Sequence, residues 1–385
     1  MTAGILLVDL DWVGRAEHLA ASFARGAAEL DQTANFPFDN VRRLHDIGLL
    51  TLRAPRRFGG AAATLAEAAR VVGAIAGGEP ATALVLAMNY IQHAGIARNP
   101  RWPEHLKERV FRDASAGVSL INALRVEPDL GTPARGGLPE TIARRCGDGW
   151  RLSGRKIFST GAPILSWYAV WARTDEAEPR VGTFLVPAGL LGTRIEETWD
   201  HLGLRASGSH DIVFDDVVLR SEHAVDIRSP AEWTSGDAQE MHLESGVLLS
   251  ALYDGIARAA FGWLVDFLQT RTPANLGRPL AMLPRVEEAV GEAEMRMRTN
   301  ARLITSLAAD IDEGRAPPAS DANAVKSVVT NNAVAVVETA LSLTGNHGLS
   351  RHNPLQRHYR DVLCGRVHTP QDDAVKIMLG RAALA

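Results

Sequence analysis

Cysteine is nearly absent from this 385-residue chain: Cys146 and Cys364 are the only two. That is too few for a disulfide framework, so a reducing, cytoplasmic setting is the expectation. Aromatic residues make up 6%, which argues against a stacking surface for bases. The net charge of −4 offers nothing to nucleic acid or an anionic membrane. No stretch reaches the ~18 uncharged apolar residues of a membrane span. The early Asp9, Asp11, Arg15 and Glu17 leave no room for a signal-peptide core. Phosphate loops of the G-x-G-x-x-G or P-loop type are missing, so NAD(P)H would act only through another protein. His347, His352, His358 and His368 lie close in sequence without a pair at i, i+4, and no metal site is expected.

What is present divides into three textures. Val41, Leu44, Ile47 and Leu50, with Asp39 as a cap, then Leu65, Ala69, Val72 and Ala76, then Leu84, Met88 and Ile91, recur at helical spacing. Pro80 suits the first turn of the third helix. After Gly117 the period shortens. Thr141–Arg145 and Trp150–Leu152 read as a hairpin with an Asp-Gly turn, and 167–171, 183–186 and 211–214 read as strands. The helical period returns from Leu243 to Phe267, Val286 to Ile311 and Val325 to Leu343, lengths that suit an antiparallel bundle. The expected division is a helical domain over 1–122, a β domain over 123–224 and a helical bundle over 225–385.

Short motifs sit in register across this order. Gly48-Leu49-Leu50, Pro55 and Phe58-Gly59-Gly60 come first, followed by Val126-Glu127-Pro128-Asp129-Leu130-Gly131-Thr132-Pro133. Then come Gly154-Arg155-Lys156-Ile157-Phe158-Ser159-Thr160-Gly161 and Leu202-Gly203-Leu204-Arg205-Ala206-Ser207-Gly208-Ser209-His210-Asp211. Together they resemble the acyl-CoA dehydrogenase superfamily. The last of them is closer to its two-component flavin-dependent monooxygenase branch. The resemblance implies an α+β multidomain chain, with an N-terminal all-α domain, a central β-barrel domain and a C-terminal four-helix bundle. It also implies a flavin, FAD or FMN. Glu127, Gly131 and Thr132 would lie in the flavin loop, and Phe158, Ser159 and Thr160 beside the flavin near N5 and O4. Arg271 and Gly345, the latter in Ala340–Gly348, would reach the cofactor of a neighbouring subunit.

The same resemblance exposes a departure. Members that abstract a proton α to a thioester carbonyl keep a glutamate late in the chain, or early in the first bundle helix. Here those positions hold Thr369, after His368, and Ser245, with Glu244 one residue off. A one-residue shift turns a side chain by ~100° around a helix. The reading that follows is a monooxygenase supplied with reduced flavin by a partner reductase and using O2 on a small organic substrate. His368 and Ser159 would be catalytic, with Asn89, His93 and Ser207 as candidate pocket residues. A homotetramer is expected from the apolar bundle faces. The alternatives are an acyl-CoA dehydrogenase with a displaced base and a flavin-binding protein without catalysis.

Overall fold

The structure, a computed structural model, describes residues 11–130, 137–233, 235–315 and 317–385, with backbone alone over 235–242. Six helices come first: α1 (Trp12–Phe23), α2 (Ala27–Thr33), α3 (Phe38–Asp46), α4 (Leu65–Gly78), α5 (Pro80–Arg98) and α6 (Glu104–Ala116). Eight strands follow: β1 (Leu120–Leu124), β2 (Ile142–Cys146), β3 (Gly149–Lys156), β4 (Leu165–Thr174), β5 (Val181–Pro187), β6 (Thr193–Glu196), β7 (Asp211–Arg220) and β8 (Ala224–Arg228). Helix then returns in α7 (Ser235–Thr270), α8 (Pro284–Asp312), α9 (Ala319–Thr344), α10 (Asn346–Leu349), α11 (Leu355–Val367) and α12 (Asp372–Leu384). Helical domain, sheet domain and helical bundle thus succeed one another as the sequence motifs imply.

Local chemistry sets the helix ends. α4 opens on a capping box in which Thr64 and Glu67 satisfy each other's backbone N–H groups. Pro80 takes the first turn of α5, where the buried Glu79 carboxylate accepts from Ala81 and Thr82 N. Small residues let α4 and α7 touch: a side chain at Gly255 would meet the Gly73 carbonyl at 2.3 Å. α7 is the core of the bundle. Its segment Leu243–Thr270 is long and apolar enough to cross a membrane by length and composition alone, yet 72% of its most apolar window is buried. It packs on α4, α5, α8, α9 and α11.

Two local expectations change. Asp39 lies inside the first turn of α3, without a side-chain cap, and the helix stops at Asp46. The β2–β3 turn is Gly147–Asp148, with Cys146 opposite Gly149 and φ of +60° at Gly147. Glycine thus fills the first central position, the one that needs a left-handed backbone.

The strands form one sheet in the order β6-β7-β3-β2-β4-β5-β8, and β1 and β2 both run parallel to β4 along one of its edges. Leu106, Val110 and Phe111 of α6 pack on Trp167, Leu185 and Val225 of the sheet. α5 packs on β1 beside this contact, and Glu244 near the start of α7 faces the cavity that opens there.

Candidate active site

Residues 157–162 leave β3 and are clamped between two loops. Ile157 N donates to the Val126 carbonyl (3.0 Å), Ser159 N to His210 (3.1 Å) and Gly161 N to Ser207 (3.0 Å). Asn122 of β1 adds a bond to the Thr160 carbonyl at 3.1 Å. Within this clamp Phe158 adopts a left-handed backbone, φ +57°, and leaves its ring 51% exposed. A bulky residue in that conformation costs energy and needs a reason. Its ring meets Trp199 and His201 edge-on, and those two stack at 3.6 Å. Thr160 Oγ joins Ser209 Oγ at 3.0 Å, and Ser209 joins Ser207 at 2.8 Å, forming a buried chain of three hydroxyls. Ser159 Oγ is buried with no partner. A buried hydroxyl left unpaired costs about 1–3 kcal/mol. A flat, hydrogen-bonding ring laid on Phe158 would meet both needs, so these residues fit a flavin.

Glu127, expected beside that ring, does something else. Its carboxylate accepts from Lys156 Nζ (2.6 Å), Glu140 N (2.7 Å) and Thr141 N (2.9 Å), and both charged side chains are buried. Burial alone would raise its pKa, but the bonds from Lys156 and Thr141 outweigh it and hold the carboxyl below its ordinary value. The Glu127 carboxylate therefore anchors the flavin loop to β3. Gly131 and Thr132 lie outside the described residues.

His368 follows the last turn of α11. Its Nδ1 lies 3.0 Å from the hydroxyl of Tyr253 on α7. Beneath it Lys326, fully buried on α9, donates to the carbonyls of Gly365 (2.7 Å), His368 (2.7 Å) and Pro370 (3.0 Å). Burial, with the Lys326 charge adding, pushes the imidazole down to about 4, so it is neutral at physiological pH. α11 also ties the two sides together, because Asp361 accepts from Leu204 N at 2.7 Å in the loop that carries Ser207 and Ser209. Burial raises that carboxyl to about 7.

A cavity of about 260 Å³ opens between the end of α5, the strands β1, β4, β5 and β8 and the start of α7. Arg98, Arg125, Trp171, Arg228, Trp233 and Glu244 are among its walls. Arg125 directly precedes the flavin loop, so cavity and cradle adjoin. Arg125 lies over Trp171 at 4.5 Å and Arg228 over Trp233 at 4.2 Å. Glu244 Oε1 accepts from Arg53 (2.6 Å) and Arg98 (2.9 Å), while Oε2 is buried and unpartnered. Ser245 and Thr369 are half-buried and carry no carboxylate.

The three expected pocket residues are placed differently. Asn89 is buried and spends its amide on the backbone, donating to the Leu50 carbonyl (3.0 Å) and accepting from Ile121 N (3.1 Å). It joins the helical domain to β1 and is not a pocket wall. His93 is fully buried, edge-on to Phe111 at 5.4 Å, with neither ring nitrogen bonded. Ser207 is buried as the inner member of the hydroxyl chain and supports Thr160 from behind. Arg271 is exposed at the end of α7, about 40 Å along the helix from Glu244. Gly345, φ +54°, ends α9 close by, since Phe267 and His347 pack at 5.3 Å. These two belong to a far end of the bundle, apart from the cradle of the same chain. Sequence reasoning missed Tyr253, Lys326 and Ser209. A lysine amid the apolar stripe of α9 was the one available signal.

The chain matches three family descriptions: acyl-CoA dehydrogenase N-terminal domain over residues 16–100, middle domain over 125–217 and C-terminal domain over 247–372. It is 31% identical to YdbM of Bacillus subtilis, a protein named as an acyl-CoA dehydrogenase, over 94% of each chain. It is 28% identical to L-evernosamine nitrososynthase of a Micromonospora species, covering 92% of this chain and 86% of that one. Among solved structures, KijD3 in complex with FMN and a dTDP-linked amino-keto sugar superposes with a TM-score of 0.85 at 27% identity, covering 97% and 93% of the two chains.

Proposed function

Because this chain belongs to the acyl-CoA dehydrogenase family, whose members are flavin-dependent oxidoreductases, we propose that it is a monooxygenase that uses reduced FMN or FAD and O2 on a small polar substrate. One observation carries the reading. The two positions where the family's dehydrogenases keep a base hold Ser245 and Thr369, and the adjacent Glu244 has one oxygen committed to two arginines. A base for proton abstraction next to a thioester is thus missing from both positions, and the nearest carboxylate is held by two arginines.

Reduced flavin, when bound, supplies two electrons and activates O2, one atom going to substrate and the other to water. The chain's own residues hold and shield it. Phe158 offers a ring face, and Thr160 offers a hydroxyl steadied by Ser209 and Ser207, with Ser159 beside it. Closure between sheet and bundle excludes water, which limits loss of the activated oxygen. His368 contributes a polar contact to the substrate from the opposite wall. The arginines and tryptophans of the cavity suit a polar, hydrogen-bonding substrate better than an alkyl tail. Reduced flavin would come from a separate reductase. If Arg271 and the cradle serve one cofactor, a second chain has to bring them together, which supports an oligomer; a homotetramer is the assembly proposed.

The test uses purified protein carrying photoreduced FMN or FAD, mixed with O2 while oxygen uptake and peroxide release are followed together. Peroxide release that lags uptake supports the reading. Fast anaerobic bleaching of the oxidised flavin by acyl-CoAs overturns it in favour of a dehydrogenase. The unpartnered Oε2 of Glu244 is the feature that favours this second reading, and in that case Glu244→Gln abolishes the bleaching.

A further inference from the structure

Tyr253 and His368 share one hydrogen bond of 3.0 Å, and its direction decides what the histidine can do. Two arrangements are open. In one, the phenol donates to Nδ1 and the ring proton sits on Nε2. In the other, Nδ1–H donates to the phenol oxygen, and the phenolic proton needs an acceptor of its own. Tyr253 is fully buried, and among the described residues its hydroxyl meets no partner but His368. The second arrangement therefore strands a buried donor, and the first strands nothing. Ionisation of the phenol offers no escape, because burial, with Cys364 and Asp361 adding, holds Tyr253 well above its usual value.

Lys326 acts on the same ring from below. Its three bonds draw together the carbonyls of Gly365, His368 and Pro370, so they fix the backbone that carries the imidazole. The nearest carboxylate, Asp372, stands 4.0 Å from Nζ by one oxygen and accepts from Asn331 at 2.6 Å by the other. A cation satisfied by carbonyl dipoles keeps its field. That field opposes a second positive charge on His368. The groups that act on the ring are thus Tyr253 from α7 and Lys326 from α9, with Asp372 from α12 acting on Lys326.

We propose that Tyr253 and Lys326 are positioning residues that hold His368 as a neutral imidazole with its proton on Nε2. In that form it donates a hydrogen bond into the cleft and does not take a proton. The role toward bound substrate or oxygen rests on the monooxygenase reading; the protonation state does not. It narrows the choice left open by sequence, in which His368 either orients or deprotonates the substrate.

The test is nitrogen-15 spectroscopy of the full-length protein labelled at histidine, with His368 assigned by its loss in His368→Gln. The expected signal is the Nε2–H tautomer from about pH 5.5 to 8, above the depressed imidazole value. Tyr253→Phe should release the ring into a mixture of tautomers. Lys326→Met should raise the pH at which the ring charges. An Nδ1–H tautomer or an imidazolium at pH 6 in the unmodified protein overturns the proposal, as does a Tyr253→Phe protein with an unchanged tautomer. Should Lys326→Met fail to fold, Tyr253→Phe carries the test alone. In turnover, His368→Gln should keep more activity than His368→Ala, because its amide still donates. The tautomer seen without oxygen-coupled product would sink the monooxygenase reading and leave this one standing.

Discussion

Two lysines, Lys156 in the sheet and Lys326 in the bundle, are completely buried, and they are satisfied in different ways. Lys156 meets a carboxylate, Glu127, which also takes two backbone N–H groups. Its charge is cancelled where it stands, and the pair works as a rivet between the flavin loop and β3. Lys326 meets three carbonyl oxygens and stands 4.0 Å from a half-buried carboxylate. Its charge is solvated and only partly offset by that carboxylate, so it reaches His368 and adds to the burial that keeps that ring neutral. A buried cation paired with an anion shapes the backbone; one paired with dipoles also shapes the electrostatics next door.

The largest effect that would break this contrast is on the paired side. Lys156→Met leaves the Glu127 carboxylate buried without its cation, and stability should fall by about 3–5 kcal/mol. Adding Glu127→Gln should recover part of the loss, because it removes the unpaired charge, although its single amide oxygen can accept from only one of Glu140 N and Thr141 N. Denaturant midpoints of the two proteins check both statements. If the single and double variants fall equally, Glu127 is not acting through its charge. A smaller effect belongs to the hydroxyl chain. Ser209→Ala cuts Thr160 off from Ser207, and should cost about 1 kcal/mol. It should also weaken flavin binding, read by fluorescence titration of FMN.

The sequence made some of this visible and hid the rest for a physical reason. Residues 157–160 were legible because cradle, aromatic ring and hydroxyls are neighbours in the chain. The order of the domains was legible because periodicity is local too. Lys326 was hidden because its partners lie 39 to 44 residues away and are carbonyls, which every residue has. Asn89 looked like a pocket residue because the resemblance puts a pocket residue at that position of α5, and a matched position does not say what covers it. What covers it is the backbone at Leu50 and Ile121. The task of the Glu127 carboxylate was hidden for a related reason, because a motif names the residue and not the direction of its side chain.

His93 gives the sharpest small test, because it is a buried titratable group with neither an anion nor a dipole on it. Burial alone pushes its imidazole down to about 4 from the ordinary 6.5. The folded chain therefore binds fewer protons here than the unfolded chain between those values. Its share of stability is complete above pH 6.5 and is lost as pH falls through about 4. At neutral pH two unpaired ring nitrogens sit against Phe111, so His93→Leu should stabilise the protein by about 1–2 kcal/mol. It should also flatten the loss of stability between pH 6.5 and 4 relative to the unmodified chain, since the leucine cannot be protonated. Melting temperatures of the two proteins across that window give the comparison. Oxygen-coupled turnover should not change if His93 is only a packing residue. A loss of ~10²-fold, the scale of an acid–base group, would return it to the substrate pocket and mean that the wall between it and the cavity opens when substrate binds.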